Sequence, residues 1–159
     1  MSDDQADAAQ EFALQFFETM PFGQLLGIQP IRFDRDEVRG RLDWAPERCT
    51  VGGILHGGVL MSFADSLGAL CAFLNLPGGA TTATIESKTN FFRAVRSGAV
   101  EGTSRPLHVG RTTIVVQTDL LDEAGRRVAQ VTQTQAVLAP TRTLPREAGE
   151  VSGEAGEGG

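Results

Sequence analysis

The sequence has only two cysteines, Cys49 and Cys71, two histidines, His56 and His108, and one lysine, Lys88. Two cysteines make no disulfide framework, and their scarcity fits a reducing compartment. With no CxxC pair and so few histidines, a structural zinc site is excluded and no metal is expected. Bases are missing from both ends. Residues 1–11 carry Asp3, Asp4, Asp7 and Glu11, and residues 147–159 carry Glu147, Glu150, Glu154 and Glu157. The formal net charge of −6 is concentrated there. Setting these eight acids aside leaves 12 acids against 14 bases in residues 12–146, a net of +2. A body so close to neutral lacks the dense basic face of a nucleic-acid binder. It keeps the means to hold a phosphate-bearing small ligand, because 13 of the 14 bases are arginine. The acidic N-terminus has no basic start followed by an apolar stretch, so no secretion signal is read and a cytoplasmic protein is expected.

What is present fits one domain: 159 residues, 41% hydrophobic and 21% charged. Such a chain can bury roughly 70% of its unfolded surface without staples. Phe12, Phe16 and Phe17 fall on one side of a helical pattern over residues 6–19, which Pro21 and Gly23 are expected to end. Strand patterns follow at 28–33 and around Val38, Leu42 and Trp44. Residues 58–76 are apolar all round, which predicts a buried helix closed by Leu76-Pro77-Gly78-Gly79. A membrane span is a poor reading, since the run is marginal in length and carries a central acid. Four strand patterns complete the chain at 81–93, 99–109, 112–121 and 127–138. One buried helix among six antiparallel strands is an α+β plan, a curved sheet wrapped around one long helix. The expected division is an acidic segment with a short helix at 1–19, the domain at 20–140, and a solvated acidic tail at 141–159.

Between Arg48 and Glu86 lie 37 residues with a single formal charge, Asp65. A carboxylate inside a buried helix is costly unless satisfied, and Ser62 and Ser66 are the hydroxyls in reach. Acids kept in such places concentrate at functional sites. At the start of the same helix stand His56, Gly57 and Gly58. The first N–H groups of a helix have no intrahelical acceptor and carry partial positive charge. Two glycines there are expected to leave them open to a carbonyl oxygen gaining negative charge, as in an oxyanion hole. Gly57 and Asp65 are eight residues apart, roughly 12 Å along a helix. If both serve one reacting carbonyl, they come from two chains of a symmetric dimer.

The run Gly53-Ile54-Leu55-His56-Gly57-Gly58 with Asp65 resembles the signature of hotdog-fold acyl-CoA thioesterases, in the PaaI-like and 4-hydroxybenzoyl-CoA thioesterase branch. The resemblance extends through Thr89-Asn90-Phe91-Phe92-Arg93, Leu107–Thr113 and Asp122–Arg126, and covers about residues 20–140. It implies a single hotdog domain that hydrolyses an acyl- or aryl-CoA to the free acid and CoA, without a metal or redox cofactor. It implies that the Gly57 N–H polarises the thioester carbonyl, beside His56, and that Asp65 of the other subunit attacks it or activates water. Thr84, with Thr82 as the alternative, matches a hydroxyl that assists. Thr50 stands where relatives carry Asn or Gln, and offers a shorter side chain with one donor. Ala94 stands where a proline commonly follows the arginine. Gly58, Phe63, Phe91, Arg93, Arg111 and Thr112 are the expected substrate and CoA contacts, with Arg142 a further candidate for the phosphates. The implied assembly is a homodimer at minimum and a tetramer beyond it. The rivals are an acyl-CoA-binding module without catalysis, and a hotdog hydratase or dehydratase, which would need a second placed histidine.

Overall fold

The structure, a computed structural model, describes Glu11, Gln15, Phe16 and residues 18–140. The expected acidic tail, Arg142, Phe12 and Phe17 lie outside these residues. Glu11, Gln15, Phe16 and Glu18 are helical, as expected. Phe16 stacks on Phe73 with ring centroids 5.5 Å apart. Pro21 and Gly23 do not simply end that helix. Pro21 opens a separate short helix, α1 (Pro21–Leu26), because proline at the first helical position gives up an N–H that has no acceptor there anyway. Gly27, at φ 67°, closes it.

Six strands form one antiparallel sheet: β1 (Gln29–Phe33), β2 (Val38–Asp43), β5 (Thr81–Phe91), β6 (Ala99–Val109), β7 (Thr113–Asp122) and β8 (Arg127–Leu138). Their spatial order is β1-β2-β6-β7-β8-β5. A two-stranded hairpin, β3 (Cys49–Thr50) and β4 (Ile54–Leu55), had no signal in the sequence beyond its Gly52-Gly53 turn. Both glycines have positive φ, 82° and 69°, which lets so short a connection reverse. The long helix, α2 (Gly57–Leu74), packs on β2, β5, β6, β7 and β8. It is long and apolar enough to cross a membrane, yet the sheet covers it.

The strands alternate as their sequence does. Val38, Gly40 and Leu42 of β2, and Ile114, Val116 and Leu120 of β7, turn towards α2. Arg39, Arg41, Glu101 and Asp119 occupy the opposite face, where Arg39 pairs with Glu101 at 3.1 Å and Arg127 with Asp119 at 3.1 Å. Gly40 and Gly102 are register partners under the centre of the helix. A Cβ on Gly102 would stand 2.5 Å from Leu67 and 3.0 Å from Phe63. The paired glycines therefore make the recess in which Phe63 and Leu67, both fully buried, are seated. Cys71 is buried in the same core, its thiol pushed up to about 12 by burial and by Asp34 and Asp36.

Candidate active site

The hairpin β3–β4 delivers the chain to the start of α2. The His56 N–H donates to the Arg48 carbonyl at 3.0 Å and the Leu55 N–H to the Val95 carbonyl at 2.9 Å. His56 is the N-cap: its Nδ1 accepts from the Gly58 N–H at 2.9 Å, so the neutral ring carries its proton on Nε2. This corrects the expectation that both glycines leave bare donors. The Gly58 N–H is taken, and Gly58 is glycine because a Cβ would stand 2.9 Å from that Nδ1. The Gly57 N–H has no acceptor among the described residues. A Cβ on Gly57 would stand 3.2 Å from the ring of Phe91, which closes over the helix start. One unpaired donor thus stands at the positive end of an 18-residue helix, at Gly57, which lines a hollow of about 340 Å3. Thr50, Gly57, Leu60, Phe91, Phe92 and Arg93 are among the residues that line it.

Asp65 lies in a different hollow, of about 250 Å3, with Phe22, Met61, Ser62, Ser66 and Ser87. The two hollows share no residue. The two serine hydroxyls within reach of the carboxylate bond elsewhere. Ser62 Oγ donates to the Gly58 carbonyl and Ser66 Oγ to the Ser62 carbonyl, both at 2.8 Å, because a helical serine finds the carbonyl four residues back. Asp65 Oδ1 instead accepts from Gln133 Nε2. Burial pushes the Asp65 carboxyl above its ordinary value of 3.8, and no charged group contributes.

Gln133 and Gln135 are residues that sequence reasoning missed. Both are buried on the face of β8 turned towards α2. Gln135 Nε2 donates to Thr84 Oγ1 at 2.9 Å, and Gln133 Nε2 also approaches that oxygen at 3.4 Å. Thr82 Oγ1 donates to the Ala136 carbonyl at 3.0 Å. Of the two threonines considered, Thr84 is therefore the one joined to Asp65, through Gln133. The signal was present in the alternation of Val131, Gln133, Gln135 and Val137, which puts both amides on the apolar face.

Other expected contacts separate. Phe63 lines neither hollow, since it is fully buried over Gly40 and Gly102; its assignment to the substrate is corrected to core. Phe91 and Phe92 are half-exposed at the Gly57 hollow, with Arg93 beside them. Arg111 borders a third hollow with Arg35 and with Asn75, the C-cap of α2, and Thr112 is its neighbour in the chain. Arg93 and Arg111 thus mark opposite ends of a helix about 26 Å long, and one chain does not bring them together.

A sheet curved over a single long helix, with a free N–H at the helix start and a half-buried acid two turns on, defines a hotdog domain of the thioester-cleaving kind. The family model of the thioesterase superfamily matches residues 52–129. The 1,4-dihydroxy-2-naphthoyl-CoA hydrolase of Escherichia coli is 29% identical over 132 residues, 81% of this chain and 97% of that protein. The proofreading thioesterase EntH of Cronobacter turicensis is 30% identical over 71% of this chain and 82% of its own length. The solved thioesterase of Haemophilus influenzae superposes with a TM-score of 0.70 at 29% identity, covering 74% of this chain and 82% of that one. The chain belongs to the thioesterase superfamily, and its chemistry is thioester hydrolysis.

Proposed function

We propose that the protein is a cytoplasmic thioesterase for acyl- or aryl-CoA that needs no metal or redox cofactor. Its active site is assembled from two chains. The observation that carries this reading is the separation of the two chemical groups: one free N–H in the Gly57 hollow, one acid in the Asp65 hollow, and no lining residue in common. Strand β5 supplies a way to join them. It is an 11-residue sheet edge, bonded to β8 on one side only, and Ile85 on it is 62% exposed. An edge of this length leaves a row of backbone N–H and C=O groups open to pairing, and its mostly threonine and polar side chains do not obstruct a second strand. Phe91 touches Gly57, and Ser87 lines the Asp65 hollow. Antiparallel pairing of two β5 strands centred near Ser87 and Lys88 sets Phe91 of each chain opposite residues 84–85 of the other. Each Gly57 N–H then faces the other chain's Asp65. Pairing of such dimers into a tetramer extends the same proposal.

In that site the thioester oxygen accepts from the Gly57 N–H, which strengthens as the oxygen becomes negative. Asp65 either attacks the carbonyl carbon or removes a proton from the water that does so. The tetrahedral centre collapses, the C–S bond breaks, and the CoA sulfur leaves and is protonated; on the route in which Asp65 attacks, water then cleaves the acyl–Asp65 anhydride, which releases the free acid and restores the carboxylate. The hydroxyl hydrogen of Thr84 has no acceptor among the described residues, so it is free to bond the water. Thr50 lies in the Gly57 hollow and offers a hydroxyl to the same region. Arg93 is exposed and lines the Gly57 hollow, which supports a role for its guanidinium in holding a CoA phosphate. The E. coli relative acts on an aryl-CoA, and the half-exposed Phe91 and Phe92 are compatible with such an acyl group. The test is incubation with a panel of phenylacetyl-, hydroxybenzoyl-, dihydroxynaphthoyl- and medium-chain acyl-CoAs and a thiol reagent. Release of free CoA is expected from at least one; release from none, with binding intact, would leave a non-catalytic acyl-CoA module.

A further inference from the structure

Asp65 sits over a polar layer that an ordinary core would not contain. Gln133 has no exposed surface, and its side chain enters the contact between β8 and α2. Its Nε2 donates to Asp65 Oδ1 and approaches Thr84 Oγ1 at 3.4 Å. Gln135 holds Thr84 from behind at 2.9 Å, and Thr82 Oγ1 in turn approaches Gln135 Oε1 at 3.1 Å. An ionised carboxylate only accepts, so the amide presents its NH2 end to Asp65. The other end, Oε1, is buried and has no partner among the described residues. It rests on Gly68, where any Cβ would collide with it.

A buried acceptor without a donor is destabilising, and an apolar side chain of the same shape would avoid the cost. Packing alone therefore gives no reason for an amide at position 133. What the amide adds is an N–H aimed at one oxygen of Asp65. We propose that Gln133 is a positioning residue, which fixes Asp65 Oδ1, holds the carboxylate ionised and leaves Oδ2 turned to the reacting centre. The proposal rests on the thioesterase reading of Asp65. No charged side chain among the described residues opposes or shares this role. Asp65 is faced by Phe22 from α1, Ser87 from β5 and Gln133 from β8, with Met61, Ser62 and Ser66 of its own helix. Glu86 and Lys88 of β5 are exposed, and Arg39, Arg41, Glu101 and Asp119 lie on the other face of the sheet. A neutral donor is thus the group that offsets the cost of burying the charge.

The test uses Gln133→Met, which keeps length and removes the donor. Two readouts are followed: the 13C-carboxyl NMR titration of Asp65, assigned with Asp65→Asn, and the acid limb of kcat/KM for an acyl-CoA. Both should move up by about one pH unit, with KM little changed and the melting temperature not lowered. Gln133→Glu should move both further, since two adjacent carboxyls share a proton. Gly68→Ala, which displaces the amide, should reproduce the direction. An Asp65 titration unmoved in all three variants would overturn the proposal and leave Gln133 a packing residue. A wild type that releases no CoA from any substrate would overturn the reading of Asp65, while the NMR shift would still decide whether Gln133 grips it.

Discussion

Replacing Asp65 by asparagine should separate catalysis from stability. The raised carboxyl binds its proton more tightly in the folded chain than in the unfolded one. Its contribution to stability is therefore greatest below the ordinary value of 3.8 and is lost as pH rises through the raised folded value. Asp65→Asn removes that loss, so it should melt above wild type at neutral pH while kcat falls by about 10²-fold or more. Thermal scans at several pH values and steady-state assays check both halves; a destabilised variant with full kcat would contradict each. His56 has a different duty. His56→Ala deletes the cap on the Gly58 N–H and should cost about 1 kcal/mol of stability. At this scale the sequence showed Asp65 plainly, because it is the one charge in an apolar run. It concealed Gln133 and Gln135, because a Thr-Gln-Thr-Gln stretch reads as a wet strand until its register with Val131 and Val137 is known.

The elements were legible wherever periodicity was strong. The alternation of β2 and the long, mostly apolar run of α2 each have one physical solution, and the structure places them at Val38–Asp43 and Gly57–Leu74. The hairpin β3–β4 was not legible, since two-residue strands carry no period. Nor was the role of Gly40 and Gly102, whose meaning lies in a cross-strand partnership that only the fold reveals. That partnership makes Phe63 a core residue. Phe63→Ala should cost about 3–5 kcal/mol of stability and leave KM for the surviving folded fraction unchanged. Denaturant unfolding and kinetics at low temperature measure the two effects; a raised KM with intact stability would return Phe63 to the substrate pocket. Arg93→Ala should behave in the opposite way. KM for acyl-CoA should rise with kcat near wild type, and the effect should shrink on a pantetheine thioester that lacks the nucleotide. Equal losses on both substrates would place Arg93 elsewhere.

For the whole molecule the central claim is that one chain holds only half of each site. Mixing Asp65→Asn with Gly57→Pro tests it most directly. Proline suits the first helical position and follows a residue already extended, at φ −64° and ψ 135°, so the helix should form while its free N–H is deleted. Cooperative melting near the wild-type temperature would confirm this before mixing. Each variant alone should be nearly inactive. Co-refolded in equal amounts, half of the dimers are mixed, and each mixed dimer carries one site with both Gly57 and Asp65. Activity on an acyl-CoA should therefore recover to about one quarter of wild type. No recovery in a sample shown by native mass spectrometry to contain mixed dimers, or full wild-type activity from a chain that is monomeric at assay concentration, would contradict the shared site.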